Sequence, residues 1–278
     1  MEILRYAAFT SDPAGGNPAG VVLDATGLDD SSMQRIAAEV GYSETAFVWP
    51  GDGRNYTLRY FSPLAEVPFC GHATIATAVA LAERIGPGEL LFDTPVGDIA
   101  ISTATTASGH RATLVSAPTR SREASAAETA GALSALGWTT DDLDPQLPAH
   151  VAFAGNEHLV LAARTPERLA DLHYDFDALK ELMTERGWTT LQLIWREDSS
   201  TFHSRNPFPV GGVVEDPATG AAAAALGGYL RALGLITAPQ RITILQGQDM
   251  GRPSILEIDV SPTEARVSVS GNAVTIPA

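Results

Sequence analysis

One stretch of this chain restricts the fold more than any other. Phe61-Ser62-Pro63 and Glu66-Val67-Pro68-Phe69-Cys70 lead into Gly71-His72-Ala73-Thr74 and then Ile75-Ala76-Thr77-Ala78-Val79-Ala80-Leu81-Ala82-Glu83-Arg84-Ile85. Gly86-Pro87-Gly88 follows, the glycine and proline that close a helix. The first ten positions are apolar or small on every side, and a helix apolar all round has to be buried. At about 1.5 Å per residue it is only about 20 Å long, too short to cross a bilayer. The rest of a soluble domain is therefore expected to wrap around it.

The stretch has an echo. Arg205-Asn206-Pro207-Phe208-Pro209 parallels Arg59-Tyr60-Phe61-Ser62-Pro63, and Glu215-Asp216-Pro217-Ala218-Thr219-Gly220 opens a second helix of Ala, Leu and Gly that runs to Leu233. Matching Thr74 to Thr219 sets the two copies 219 − 74 = 145 positions apart. Two copies of one plan imply two similar domains. The expected division is 1–117, around a central helix 72–85, and 118–278, around a central helix 217–233, with the last strand free to return to the first domain.

A chain of 278 residues is long enough for two such cores. Lys and Arg total 18 against 33 Asp and Glu, a net charge of −15, with no basic run, which argues against nucleic acid or an anionic membrane surface as a partner. A small carboxylate is still admissible, because helix N-termini and single arginines can hold one. Cys70 is the one cysteine, so no intrachain disulfide and no zinc cluster of thiolates is possible. With no signal-like segment at the amino terminus, a cytoplasmic setting is the expectation.

In order, Ile3 to Phe9 and Ala19 to Leu23 read as strands around a turn-rich Thr10 to Pro18. Asp29-Asp30-Ser31-Ser32 supplies an N-cap for Met33 to Val40, which Gly41 ends. Strands follow at Ala46 to Trp49, Tyr56 to Phe61, Leu90 to Thr94, Gly97 to Ser102 and Ala112 to Val115, the last three as a meander. Pro118 to Ala127 looks like the crossing between halves. The second half reads as a helix Ala126 to Leu136, strands Ala149 to Phe153 and His158 to Ala162, and a helix near Phe176 to Arg186. Strands Leu191 to Trp195 and Thr201 to Arg205 lead to the second buried helix, and four more complete the sheet.

Several residues could carry chemistry. Glu44, between a helix end and an apolar strand, taken alone reads as a solvated turn glutamate. His72 stands at the first helix N-terminus, where the dipole favours a neutral imidazole; it either serves a substrate or only satisfies local backbone groups. Asp216 before Pro217 is the chemistry of an N-cap followed by the first helical residue, and a carboxylate so fixed can still face a cleft. Cys70 reads as a small buried residue beside a helix start. Gln246-Gly247 with Gly251-Arg252-Pro253-Ser254 either borders the same cleft or shapes a turn.

Gly16-Asn17-Pro18, Ser43-Glu44-Thr45-Ala46-Phe47-Val48, Cys70-Gly71-His72-Ala73-Thr74, Glu215-Asp216-Pro217-Ala218-Thr219-Gly220 and Gly251-Arg252-Pro253-Ser254, in that order, resemble the phenazine-biosynthesis isomerase family of PhzF-like proteins. The resemblance spans nearly the whole chain. It implies an α+β fold like that of diaminopimelate epimerase: two pseudo-symmetric domains, each a curled, mainly antiparallel sheet around a central buried helix, with the active site in a cleft between them. It further implies a homodimer and a cofactor-independent, metal-free isomerase of a small carboxylic acid, similar to trans-2,3-dihydro-3-hydroxyanthranilate isomerase. Glu44 matches the family's proton-moving glutamate, and His72 and Asp216 match its flanking polar groups. Asn17, Ser43, Gly71, Ala73 and Thr74 are the expected substrate contacts from the first half. Thr219, Gly220 and Ala221 are those from the second. The chain departs from the family at Ala221, where a serine is usual, and the Arg205 segment differs slightly in spacing. A thiol-pair racemase mechanism on the same fold is excluded by the single cysteine. The competing reading is a catalytically silent carboxylate-binding or regulatory protein, which Ala221 favours and Glu44, His72 and Asp216 oppose.

Overall fold

A computed structural model describes residues 2–277. It divides into two compact units: one runs up to Val115 and resumes at Ser270, and the other is Ser116–Val269. The first contains β1 (Leu4–Ala8), β2 (Asn17–Val22), α1 (Asp30–Val40), β3 (Glu44–Pro50), β4 (Asn55–Phe61), β5 (Glu66–Val67), α2 (Gly71–Ile85), β6 (Gly88–Thr94), β7 (Gly97–Thr106) and β8 (Gly109–Val115). β1 pairs antiparallel with β2, β2 parallel with β3, β3 antiparallel with β4, β4 parallel with β6, and β6 antiparallel with β7. β7 then pairs antiparallel with β8, so the meander read from the sequence is present.

The second unit contains β9 (Arg120–Glu123), α3 (Ala126–Leu136), β10 (His150–Phe153), β11 (Glu157–Ala162), α4 (Pro166–Ala170), α5 (Phe176–Arg186), β12 (Trp188–Arg196), β13 (Thr201–Pro207), β14 (Glu215–Asp216), α6 (Gly220–Ala232), β15 (Gln240–Gln246) and β16 (Ser254–Val260). From β10 through β16 its pairings repeat those of β1 to β7 in order: antiparallel, parallel, antiparallel, parallel, antiparallel. The last strand, β17 (Ser268–Thr275), enters the first unit at Ser270. There it lies antiparallel to β1, with Ala8 opposite Ala273, and also pairs with β8. This closes the first unit's sheet into a ring.

Each ring or curl surrounds one helix. Every residue of α2 from His72 to Ala82 is buried, and it packs on β1, β2, β3, β7 and β8. α6 is buried from Ala222 to Leu230 and packs on β9, β10, β11 and β16. The opposite sheet faces carry further layers. In the first unit Met33, Ile36 and Ala37 of α1 pack on Val22, Phe47 and Phe61. In the second, α3 and α5 build a cluster with Trp138, Leu159, Leu161, Leu191 and Leu193. The caps follow local chemistry: Asp29 accepts from the Ser32 N–H, and Gly41 and Gly137 take the left-handed conformation that ends α1 and α3.

The structure corrects two readings. Asp216 is not an N-cap and Pro217 is not the first helical residue: Glu215 and Asp216 form β14 against Pro207 and Asn206, and α6 starts at Gly220 behind Thr219. The ladder prevails over the local Asp-Pro signal because Arg205 grips Glu215 through Nε–Oε1 at 3.0 Å and Nη2–Oε2 at 2.6 Å. The same clamp occurs in the first unit, where Arg59 holds both oxygens of Glu66 at 2.7 Å. The clamps also correct the spacing. The arginines are 205 − 59 = 146 apart, the glutamates 215 − 66 = 149, and the helix caps Cys70 and Thr219 again 219 − 70 = 149. Thr219 thus corresponds to Cys70, not Thr74. The segment read as a crossing between halves contains β9, which pairs with β10.

Two buried features of the second unit tie stability to pH. His158, fully buried, shares a 2.8 Å hydrogen bond with Thr190, and burial pushes its imidazole down to about 3. Glu128, in a capping box with Ser125, is held at about 2, chiefly by its paired hydrogen bonds from Arg122. Both folded-state values lie below the unfolded ones, so both contributions are complete at neutral pH and are lost on acidification. His158 loses its contribution as pH falls from 6.5 towards 3, in the same sense as His150, and Glu128 loses its own from 4.5 towards 2. Urea midpoints measured against pH are expected to fall in these two windows, with the lower one flattened in Glu128→Gln. At neutral pH, Arg205→Met, which strands a Glu215 side chain only 3% exposed, is expected to cost about 3–5 kcal/mol. Arg59→Met, whose partner Glu66 is 36% exposed, is expected to cost about 1 kcal/mol.

Candidate active site

In the first unit the parallel register of β2 and β3 sets Ala19 beside Glu44, the first residue of β3. Asn17, two residues earlier on β2, projects to the same side as Ala19. The start of α2 supplies His72. Four side chains meet there: the Asn17 amide nitrogen lies 3.2 Å from His72 Nδ1, Ser43 Oγ 3.3 Å from Nε2, and Glu44 Oε2 3.3 Å from Nε2. The Asn17 nitrogen is a donor, so Nδ1 accepts and Nε2 carries the ring proton, with Ser43 Oγ as its hydrogen-bond partner. The imidazole and carboxylate are 8% and 17% exposed: largely dry, yet the carboxylate is not sealed.

Cys70, the N-cap position of α2, adds its thiol, which donates to Glu44 Oε2 at 3.5 Å. The Cys70 thiol and the His72 imidazole thus both approach the Oε2 side of Glu44. Glu44, Cys70 and His72 are also the residue types that bind a metal ion, and their ligand atoms all lie within 4.8 Å of one another. Sγ lies 3.4 Å from Nδ1 and 3.7 Å from Nε2 of His72.

The remaining first-half positions support the turn. Ala73 and Thr74 are fully buried, and Gly71 is half-buried. The Thr74 hydroxyl donates to the Cys70 carbonyl at 2.7 Å and accepts from Tyr60 at 2.8 Å. Burial raises the Tyr60 phenol well above its usual range, which keeps it a donor. Tyr60 therefore braces the turn that carries Cys70 and His72, a role the sequence reading missed. Its place two residues after Leu58 on β4 was legible, but its partner was not.

In the second unit Asp216, Thr219, Gly220 and Ala221 gather at the start of α6. Thr219 donates its hydroxyl to Asp216 Oδ2 at 2.5 Å. Gln246, at the end of β15, accepts from the Thr219 N–H at 3.2 Å. It also donates to the Asp216 carbonyl at 2.7 Å and to Thr219 Oγ1 at 3.0 Å. Gly220 is buried and Ala221 half-exposed. Each unit therefore sets a carboxylate beside the N-terminus of its central helix, Glu44 in one and Asp216 in the other. A broad hollow of about 590 Å³ on β15 and β16, lined by Arg241, Asp259 and Arg266 among others, contains none of these residues.

No helix among the described residues is long and apolar enough to cross a membrane. Residues 6–278 match the family model described as phenazine biosynthesis-like protein. Trans-2,3-dihydro-3-hydroxyanthranilate isomerase of Pseudomonas fluorescens is 35% identical, with 96% of this chain and 94% of that protein covered. The uncharacterised isomerase YddE of Escherichia coli K12 is 31% identical over 99% of this chain and 96% of that protein. Among solved structures, the PhzF-family phenazine biosynthesis protein of Bacillus anthracis superposes with a TM-score of 0.88 at 26% identity, over 100% of this chain and 98% of that one. A probable proline racemase of Agrobacterium radiobacter K84 shares the fold alone, with a TM-score of 0.66 at 12% identity over 98% of this chain and 90% of that one. With its full-length match, its curated isomerase relatives and its shared fold, the chain belongs to the phenazine biosynthesis-like, PhzF, family of isomerases.

Proposed function

We propose that the protein isomerises a small carboxylic acid by moving a proton between two substrate carbons, with Glu44 as the acid/base and His72 and Asp216 as polar groups of the same active site. The observation that carries this reading is the asymmetry of Glu44. Its Oε2 takes the hydrogen bond of Cys70 and lies 3.3 Å from His72 Nε2, while Oε1 has no partner among the described residues and is left to face a substrate. A carboxylate fixed through one oxygen and open through the other is a positioned general base.

The steps balance without an outside reagent. Glu44 Oε1 removes a proton from a carbon conjugated to the substrate's carboxylate, and the C–H electrons enter the shifting double bond. The protonated Glu44 then delivers a proton to the far carbon of that system. The formula is unchanged, so no electron carrier is required. Backbone N–H groups at the helix starts, including those around Gly71 and Gly220, suit the negative charge of a substrate carboxylate. The relative from Pseudomonas fluorescens is named for an acid of this class, trans-2,3-dihydro-3-hydroxyanthranilate, and that acid is the first substrate to test.

In heavy water, the wild type is expected to convert this acid and place deuterium at the newly protonated carbon, and Glu44→Gln to lose at least about 100-fold in rate. Binding without conversion or exchange would overturn the reading and favour a carboxylate-binding protein, in line with the methyl of Ala221 where the family usually has a hydroxyl. A separate check addresses the acid/base's neighbour. Long-range 1H–15N NMR is expected to show His72 protonated on Nε2, and Asn17→Asp, which replaces a donor by an acceptor, to move that proton to Nδ1.

A further inference from the structure

Gln246 takes part in none of the steps above, yet its amide is 1% exposed and makes three hydrogen bonds, all to the turn that carries Asp216. We propose that Gln246 is a positioning residue, which acts through Thr219 to hold the Asp216 carboxylate in one orientation and in the role of acceptor. This rests on the assignment of Asp216 to the active site.

Hydrogen-bond polarity fixes the arrangement. Both protons of the amide nitrogen are spent, one on the Asp216 carbonyl and one on Thr219 Oγ1. A hydroxyl that already accepts has a single proton to give, and the Thr219 proton goes to Asp216 Oδ2. The amide oxygen meanwhile takes the Thr219 N–H, one of the donors a helix start leaves unpaired. One side chain thus fixes the backbone of the turn, the rotation of the hydroxyl and the direction of the bond to the carboxylate. The chain before and after it is packed to the same end. Gly247 is in the left-handed region at φ +80°, and a Cβ there would lie 2.3 Å from the Arg252 carbonyl and 2.8 Å from that of Pro217. The loop after β15 therefore presses directly on the turn.

The fold itself does not call for this glutamine. On β15, Thr243 lies beside Thr201 as Leu91 on β6 lies beside Asn55, so position 246 corresponds to Thr94 in the first unit. Thr94 bonds within its own turn, to the Gly97 carbonyl. The first unit ties down its helix start with Thr74 and Tyr60 instead. Gln246 is thus an addition on the side of the repeat that carries Asp216.

The test uses Gln246→Met and Gln246→Glu, each alone and in a Thr219→Val background, with two readouts: heavy-water isomerisation and amide hydrogen exchange. Gln246→Met is expected to raise the exchange rate of the Thr219 amide at least about 10-fold, with mid-helix amides of α6 unchanged. It is expected to lower kcat about 10- to 100-fold with a smaller change in KM, and by less than about 3-fold when Thr219 is already Val. Gln246→Glu replaces the amide donors by a carboxylate. The charged and titratable groups on the elements around it are Glu215 and Asp216 on β14, His203 and Arg205 on β13, Arg241 on β15 itself, Glu257 and Asp259 on β16, Arg231 in the last turn of α6, and Asp249 and Arg252 on the following loop. Its activity relative to wild type is expected to rise as pH falls and the new carboxyl regains a proton to donate, which packing alone would not produce. An unchanged Thr219 amide in Gln246→Met would overturn the link to the turn. An equal loss in the Thr219→Val background, or a Gln246→Glu profile parallel to wild type, would overturn the positioning role. Failure of the wild type to isomerise would instead overturn the preceding reading of the site, and the Thr219 amide would still decide the link.

Discussion

A helix without a polar side has no stable place except inside its own sheet, and most of the architecture follows from that. α2 and α6 expose almost nothing along their lengths, so strands must pass on every side of each. The walls close only because the side chains are small. A Cβ on Gly227 would come within 2.9 Å of Val260 and 3.0 Å of Val267. Glycine inside a helix costs about 1 kcal/mol relative to alanine, offset here by the contact of strand on helix. A helix enclosed along its flanks has only its ends left to meet a ligand. The N-terminal end is the one with unpaired donors and partial positive charge, and both carboxylates of the proposed chemistry lie beside such ends.

How much of this can be read from the sequence depends on how local the determining contacts are. The apolar run around Ile75 to Leu81, the Asp29 cap, the Gly41 and Gly86 stops and the Ala-rich echo carry their own signatures within a few residues, and all are in the structure. The return of β17 beside β1 is different. It depends on a pairing between the two ends of the first unit's sequence, which leaves no local mark. Asp216-Pro217 is a third case, in which a genuine local signal is overridden. The sequence pattern of an N-cap is present, but the bidentate Arg205–Glu215 pair registers the segment as a strand and delays the helix to Gly220. The match of Thr74 to Thr219 failed for the same reason, since the loop between the clamped residues is longer in the second copy. The likeness to a known family pointed to the residues proposed for the site. It did not identify Tyr60 or Gln246, whose partners are distant in sequence and visible only once the strands are paired.

The repeat also shows how two similar halves can differ in chemistry. On β3, Phe47 lies opposite Arg59, and on β12, Leu193 lies opposite Arg205. Counting back 47 − 44 = 3 and 193 − 190 = 3 positions puts Thr190 in the place of Glu44. Around Thr190 the second unit holds a closed chain: Ser204 donates to Asn206 Oδ1 at 2.8 Å, Asn206 donates to Thr190 Oγ1 at 3.1 Å, and Thr190 shares its 2.8 Å bond with His158 Nδ1. All four are at most 2% exposed. A proton carrier in such a place would be cut off from substrate and solvent, and ionisation there would be strongly opposed, as the downward shift of His158 shows. Glu44, with its side chain 17% exposed and one oxygen open, keeps the access that Thr190 lacks. The two similar halves therefore differ: one holds the carboxylate proposed as acid/base, and the other a carboxylate that accepts from Thr219, itself bonded by Gln246. The proposed reaction needs one group that both accepts and delivers a proton, and a second free base close to the substrate would compete with it.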